Sequence, residues 1–109
     1  MRWYERLRRA AEITYVRRRG RAASGATLVA FVAEGRGSRS RVAVSVSSQV
    51  GGAVVRNLIR RRIRGALDAL PPVATPFRAL FVAKPAAAGA AYGDLAQDVA
   101  KALGRLGVR

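Results

Sequence analysis

The sequence predicts a small α+β fold built as one domain, and three observations carry that expectation. Stretches of two-residue alternation interchange along the chain with stretches whose apolar residues recur every three or four positions. Glycine, serine and proline clusters separate them. The chain has 109 residues, half of them hydrophobic, which suits a single domain spanning 1–109 with one core. The order read from the pattern is α, β, β, α, β, α, with a further short strand at 21–24.

Residues 3–19, WYERLRRAAEITYVRRR, read as the first helix. Leu7, Ala10, Ala11, Ile13 and Val16 mark its apolar side, and Gly20 is a suitable stop. Arg17, Arg18 and Arg19 then fall in the last turn, where they complement the helix dipole and stand ready for phosphate. Residues 27–33, TLVAFVA, and 41–47, RVAVSVS, read as strands, the second setting Val42, Val44 and Val46 against Ala43, Ser45 and Ser47. The glycines and serines of EGRGSRSR between them predict a hairpin loop, with Arg36, Arg39 and Arg41 as optional phosphate contacts.

Residues 51–70, GGAVVRNLIRRRIRGALDAL, form the most informative segment. Val55, Ile59, Ile63, Ala66 and Leu70 line one side of a helix. Arg56, Asn57, Arg60, Arg61 and Arg64 fall within an arc of about 140° on another side. Guanidiniums about 6 Å apart along a rigid rod match a phosphate backbone. Pro71 and Pro72 end the helix, and Gly51 and Gly52 open it in a way that lets backbone or phosphate come close. A run of charge is ordinarily just a solvated face, but no acidic residue between Glu34 and Asp68 balances these arginines. Phe77–Ala83, FRALFVA, is almost wholly apolar and so predicts a central strand. Residues 92–106 close the chain as a helix with Leu95, Val99, Leu103 and Leu106 on one side, and with Asp94 and Asp98 expected in its first turn to offset the dipole.

Composition points to a polyanionic partner. The chain carries 21 basic and 6 acidic residues, a net charge of +15, well beyond what solubility needs. Lys84 and Lys101 are the only lysines. Guanidinium groups bind phosphate bidentately and stack on bases, which favours nucleic acid over an acidic protein surface. No apolar run reaches the roughly 20 residues of a spanning helix, and no signal-peptide pattern is present, so the expected location is the cytoplasm, without a membrane partner. Cysteine is absent, which excludes disulfides and thiolate metal sites. Histidine is absent too, and Glu5, Glu12, Glu34, Asp68, Asp94 and Asp98 show no metal-ligating spacing. A two-metal nuclease needs converging carboxylates, and a metal-free one needs an acid and a base poised near neutrality. Any catalytic groups for nucleic-acid chemistry must therefore come from elsewhere.

The element order, together with SVSSQVGGAVVRNLIRRRIRGAL at 45–67, RLRRAAEITYVRRRGR near the N-terminus and VAKPAAAGAAY after the last strand, resembles the bacterial ribonuclease P protein subunit over nearly the whole chain. Five positions depart from that family's pattern. Leu58 replaces the last arginine of its Arg-Asn-Arg motif, Ser48 and Gln49 replace two lysines, and Ile13 and Arg17 stand where aromatic residues are usual. The resemblance implies an αβββαβα sandwich of the ribosomal protein S5 domain 2-like type. Its mixed sheet would contain a left-handed βαβ crossover, against the right-handed rule for such connections.

It also implies a ribonucleoprotein endoribonuclease that removes the 5′ leader of precursor tRNA, with Mg2+ held mainly by the RNA subunit and the substrate. The expected partners are ribonuclease P RNA and precursor tRNA, with no small-molecule substrate. By resemblance, Asn57, Arg61, Arg62 and Arg64 would bind the RNA subunit, and Ile13, Arg17, Phe31, Arg56 and Arg60 the leader. From pattern alone Phe31 is an aromatic strand residue, which more often means core. A ribosomal or RNA-chaperone protein and a DNA-compacting protein are the other classes that this charge would serve.

Overall fold

The structure, a computed structural model, describes residues 2–73 and 75–108. The chain runs β1 (Tyr4–Arg6), α1 (Ala10–Arg19), β2 (Arg21–Ser24), β3 (Leu28–Glu34), β4 (Ser40–Ser45), α2 (Ala53–Asp68), β5 (Phe77–Ala83), a 3-10 turn (Pro85–Gly89) and α3 (Tyr92–Arg105). The strands form one mixed sheet in the order β1-β4-β5-β3-β2. β1 and β5 lie parallel to β4, while β3 is antiparallel to both β5 and β2. The apolar β5 is thus the central strand, as its composition predicts, and the short strand at 21–24 is present.

Alternation along β5 sorts the molecule into two layers. Phe77, Ala79, Phe81 and Ala83 face the larger core, which also holds Ile59, Ile63, Ala66 and Leu67 of α2 and Leu95, Val99, Ala102 and Leu103 of α3. Leu80 points the other way and meets Leu7, Val16 and Ala43 under α1, with Ile13, Phe31 and Val82 at the margin of that smaller cluster. Each large side chain fully buried contributes about 1.5–3 kcal/mol, so most of the stability lies on the α2–α3 side. Helix α1 covers only part of its face. The uncovered part becomes the groove described below.

Three expectations are corrected. The helix expected from residue 3 begins only at Ala10, because Tyr4–Arg6 pairs with Ser40–Val42 instead. Trp3 donates its indole N–H to the Leu67 carbonyl at 3.0 Å, and the Tyr4 hydroxyl lies 3.0 Å from Asp68 Oδ1 and 3.2 Å from the Arg64 carbonyl. Burying these rings with their polar ends satisfied outweighs helix propensities worth only tenths of a kcal/mol per residue. The fold therefore has a leading edge strand that the expected order lacked.

The loop after Glu34 is likewise no hairpin, since β5 lies between β3 and β4 and residues 35–39 pass across its end. Gly35 makes that passage feasible: a Cβ there would sit 2.6 Å from the Pro76 backbone. Arg39 lies 3.8 Å from Glu5, and Arg41 3.9 Å from Glu5 and 3.8 Å from Glu12, so two of the three loop arginines are paired within the fold. Asp98 also differs from expectation. It lies beyond the first turn of α3 and accepts the Thr27 N–H at 2.9 Å, tying that helix to the start of β3.

Burial, with the hydrogen bond to Asp68 and its negative charge, pushes the Tyr4 phenol up to about 12. The unfolded phenol ionises near 10, so this stabilisation is whole below about pH 10 and is lost as pH rises towards 12. Tyr4→Phe should flatten that alkaline decline in urea-unfolding midpoints; an unchanged slope would mean the phenol ionises alike in both states.

Candidate nucleic-acid interface

Helix α2 starts from Gly52 and buries Ile59, Ile63, Ala66 and Leu67, so that its basic residues are turned outward by its apolar ones. Gly51 is needed for packing, since a Cβ there would lie 2.9 Å from the Val55 side chain. Asn57 and Arg61 are exposed, while Arg56, Arg60 and Arg64 are half-buried. Arg60 donates to Asn57 Oδ1 at 3.0 Å, whereas Arg56 Nε is buried without a partner. Arg62 is set apart from Asn57, Arg61 and Arg64: it turns towards the 3-10 segment and donates to the Ala90 carbonyl at 3.1 Å.

Arg64 is the electrostatic centre of this surface. Burial lowers its pKa, and the charges of Arg6, Arg2 and Arg60 lower it further, with Tyr4 acting in the opposite sense. Like charges gathered from β1 and α2 favour an anion between them. The contribution of Arg6 was hidden in the sequence, because it depends on the strand that replaces the first turns of the expected helix.

On the opposite face, a groove of ≈ 540 Å³ runs beside α1, lined by Ile13, Thr14, Arg17, Arg18, Ser45 and Leu80. Phe31 lies half-buried next to its floor, with the Arg17 guanidinium carbon 5.9 Å from its ring centroid. The structure thus brings Ile13, Arg17 and Phe31 together. Arg56 and Arg60 are not among the residues lining this groove. A guanidinium over an aromatic ring beside an apolar wall offers planar surface to a base and positive charge to its phosphate.

Helix α1 is clamped in place by an arginine that pattern reading treated as part of an apolar strand. Arg78 is 5% exposed, donates to the Glu34 carbonyl at 2.8 Å, lies 3.6 Å from Glu12 and sits 4.9 Å from the Tyr15 ring centroid. The available signal was the charge itself, since an arginine inside FRALFVA must find partners if buried.

The described residues contain no group of three potential metal ligands, and no described helix is long and apolar enough to cross a membrane. Glu5 and Glu12 face arginines, Asp68 pairs with Arg2 at 2.9 Å, and Asp98 is bonded to Thr27. This donor set does not fit a resident magnesium ion. Fold and site together define a basic α+β protein with two cationic surfaces suited to nucleic acid and no assembled catalytic group among the described residues.

The Ribonuclease P family profile matches residues 1–107. The chain is 39% identical over 104 residues to the ribonuclease P protein component of Acidothermus cellulolyticus, covering 93% of this chain and 87% of that protein. It is 40% identical over 105 residues to that of Roseiflexus castenholzii, covering 94% and 86%. Among solved structures, the Staphylococcus aureus RNase P protein superposes with a TM-score of 0.86 at 20% identity, over 94% of this chain and 95% of that one. The Thermotoga maritima RNase P protein gives 0.76 at 16%, over 89% and 93%. The chain belongs to the bacterial ribonuclease P protein family. It is the protein component of the ribonucleoprotein endoribonuclease ribonuclease P, which implies partnership with ribonuclease P RNA.

Proposed function

We propose that the two faces of the sheet divide the work of the holoenzyme. Asn57, Arg61 and Arg64 on α2 dock the RNA subunit, with Arg6 completing their patch, while Ile13, Arg17 and Phe31 receive the 5′ leader of precursor tRNA. Arg56 and Arg60 form the edge of α2 that a leader leaving the groove would meet, and Arg62 serves the fold through Ala90. The observation that carries this reading is the groove that α1 leaves open, whose wall residue Arg17 lies over the half-buried Phe31 ring beside it. Mg2+ belongs to the RNA subunit and the substrate, which fits the engaged carboxylates of this chain, and the cytoplasm is where precursor tRNA is met.

The test has two arms. Arg61→Ala and Arg64→Ala should each weaken binding to the RNA subunit and reduce the slope of log affinity against log salt by about 0.7–0.9 per lost phosphate contact, with circular dichroism unchanged. Arg17→Ala should lower the preference for precursor over mature tRNA without altering RNA-subunit affinity. An unaltered salt slope in a normally folded variant would reduce α2 to a solvated face, and an unaltered precursor preference would remove the leader from the groove.

A further inference from the structure

A second groove lies on the other flank of α1. Tyr15 and Arg19, one helical turn apart, line it together with Arg21 of β2, Arg36 of the β3–β4 loop, Glu34 and the buried Arg78. Its volume is ≈ 360 Å³, within the roughly 300–1,000 Å³ typical of small-ligand sites. Tyr15 is 45% exposed, and Arg78, anchored by the Glu34 carbonyl and the Glu12 carboxylate, lies 4.9 Å from its ring centroid. The guanidinium supports the ring from the sheet side and leaves aromatic surface open to solvent. Arg19, Arg21 and Arg36 are exposed around it, and Glu34 is the only carboxylate residue in the lining. An exposed aromatic ring on a rigid helix, ringed by arginines, is suited to an unpaired nucleotide: the base stacks on the ring and the phosphate meets the guanidiniums.

We propose that this groove binds a nucleotide of the precursor leader farther from the cleavage site than those in the first groove. The proposal rests on the leader reading above. It draws its occupant from continuity, because α1 is the shared wall of both grooves, with Ile13 and Arg17 on one flank and Tyr15 and Arg19 on the other. Arg17, Arg18 and Arg19 at the end of the helix form an unbroken cationic path between them. A single strand leaving the first groove over this end arrives at Tyr15. The aromatic surface that this chain lacks at positions 13 and 17 is thereby supplied on the far flank.

The experiment binds precursor tRNAs with leaders of increasing length to the reconstituted holoenzyme. Wild-type affinity should rise in two steps with leader length, the second reporting the distal groove. Tyr15→Ala should remove the second step, a loss of about fivefold to a hundredfold, while the first step stays. Tyr15→Phe should retain it, because the ring rather than the hydroxyl stacks. Arg36→Ala, a loop substitution outside the packed core, should weaken the second step with an unchanged urea midpoint. A second step that is absent, or that survives both Tyr15→Ala and Arg36→Ala, overturns this inference and leaves the first groove's role standing. No dependence on leader length overturns both. A loss confined to RNA-subunit affinity also overturns it, since the groove would then serve that RNA.

Discussion

Purified protein freed of RNA is expected to leave precursor tRNA uncut at every magnesium concentration, and addition of a bacterial ribonuclease P RNA is expected to restore cleavage at the 5′ leader junction. The physical reason lies in the side chains available. A positioned general acid or base contributes about 10²–10⁴-fold, and it needs a group that titrates near the working pH. This chain has no histidine and no cysteine. Glu12 is held between Arg41 and Arg78, at 3.8 and 3.6 Å, and Asp68 and Asp98 serve the fold. The assay is gel-resolved cleavage of end-labelled precursor across a magnesium series, with and without the RNA. Site-specific cleavage by RNA-free protein, persisting after contaminating nuclease is removed, would overturn the assignment of catalysis to the RNA.

Gly20→Ala is expected to be the most damaging single-methyl addition in the protein. A Cβ at this position would lie 2.4 Å from the Val16 carbonyl oxygen and 2.9 Å from that of Val32. Both obstacles are backbone, one at the end of α1 and one in β3, so neither can rotate aside. Overpacking of this kind costs about 1–3 kcal/mol and sometimes more, and a charge of +15 leaves the folded state little reserve against its own repulsion. Relief requires α1 to lift from the sheet, which would carry Ile13 and Arg17 away from Phe31. Urea unfolding should show the lower midpoint, and the precursor preference should fall more than RNA-subunit affinity, because α2 is fixed by a different core. An unfolding free energy within about 0.5 kcal/mol of wild type, the range of a neutral surface change, would show that the junction yields freely.

The sequence made most of this arrangement readable, for reasons that differ by element. α2, α3 and β3 to β5 are long enough for periodicity to speak, and the central place of β5 followed from its apolar run. β1 was unreadable because three residues establish no alternation, and its stability comes from Trp3 and Tyr4 meeting residues 60 or more positions away. The β3–β4 connection looked like a hairpin because local turn signals carry no information about a later strand inserting between its arms. At the candidate site, the grouping of Ile13, Arg17 and Phe31 came from resemblance, and the structure places them together. Arg62 was grouped with Asn57, Arg61 and Arg64 by resemblance, and in the structure it turns to the Ala90 carbonyl. The role of Arg78 was concealed by the apolar strand around it, and that of Tyr15 by its position off the family's aromatic sites.

The parallel pairing of β1 with β4 has a consequence for how the chain is made. Translation delivers Tyr4 well before its partners, for its ladder partner is Ser40 and its hydroxyl waits for Asp68, 64 residues later. A strand that closes on partners so distant bears a loop-closure cost that local contacts avoid, and it can join only once those partners exist. Until those partners exist, Arg2 has no Asp68 to pair with and Arg6 no Val42 to lie beside. They acquire a fixed address only when α2 has emerged from the ribosome, so the patch around Arg64 is completed by residues polymerised well before it.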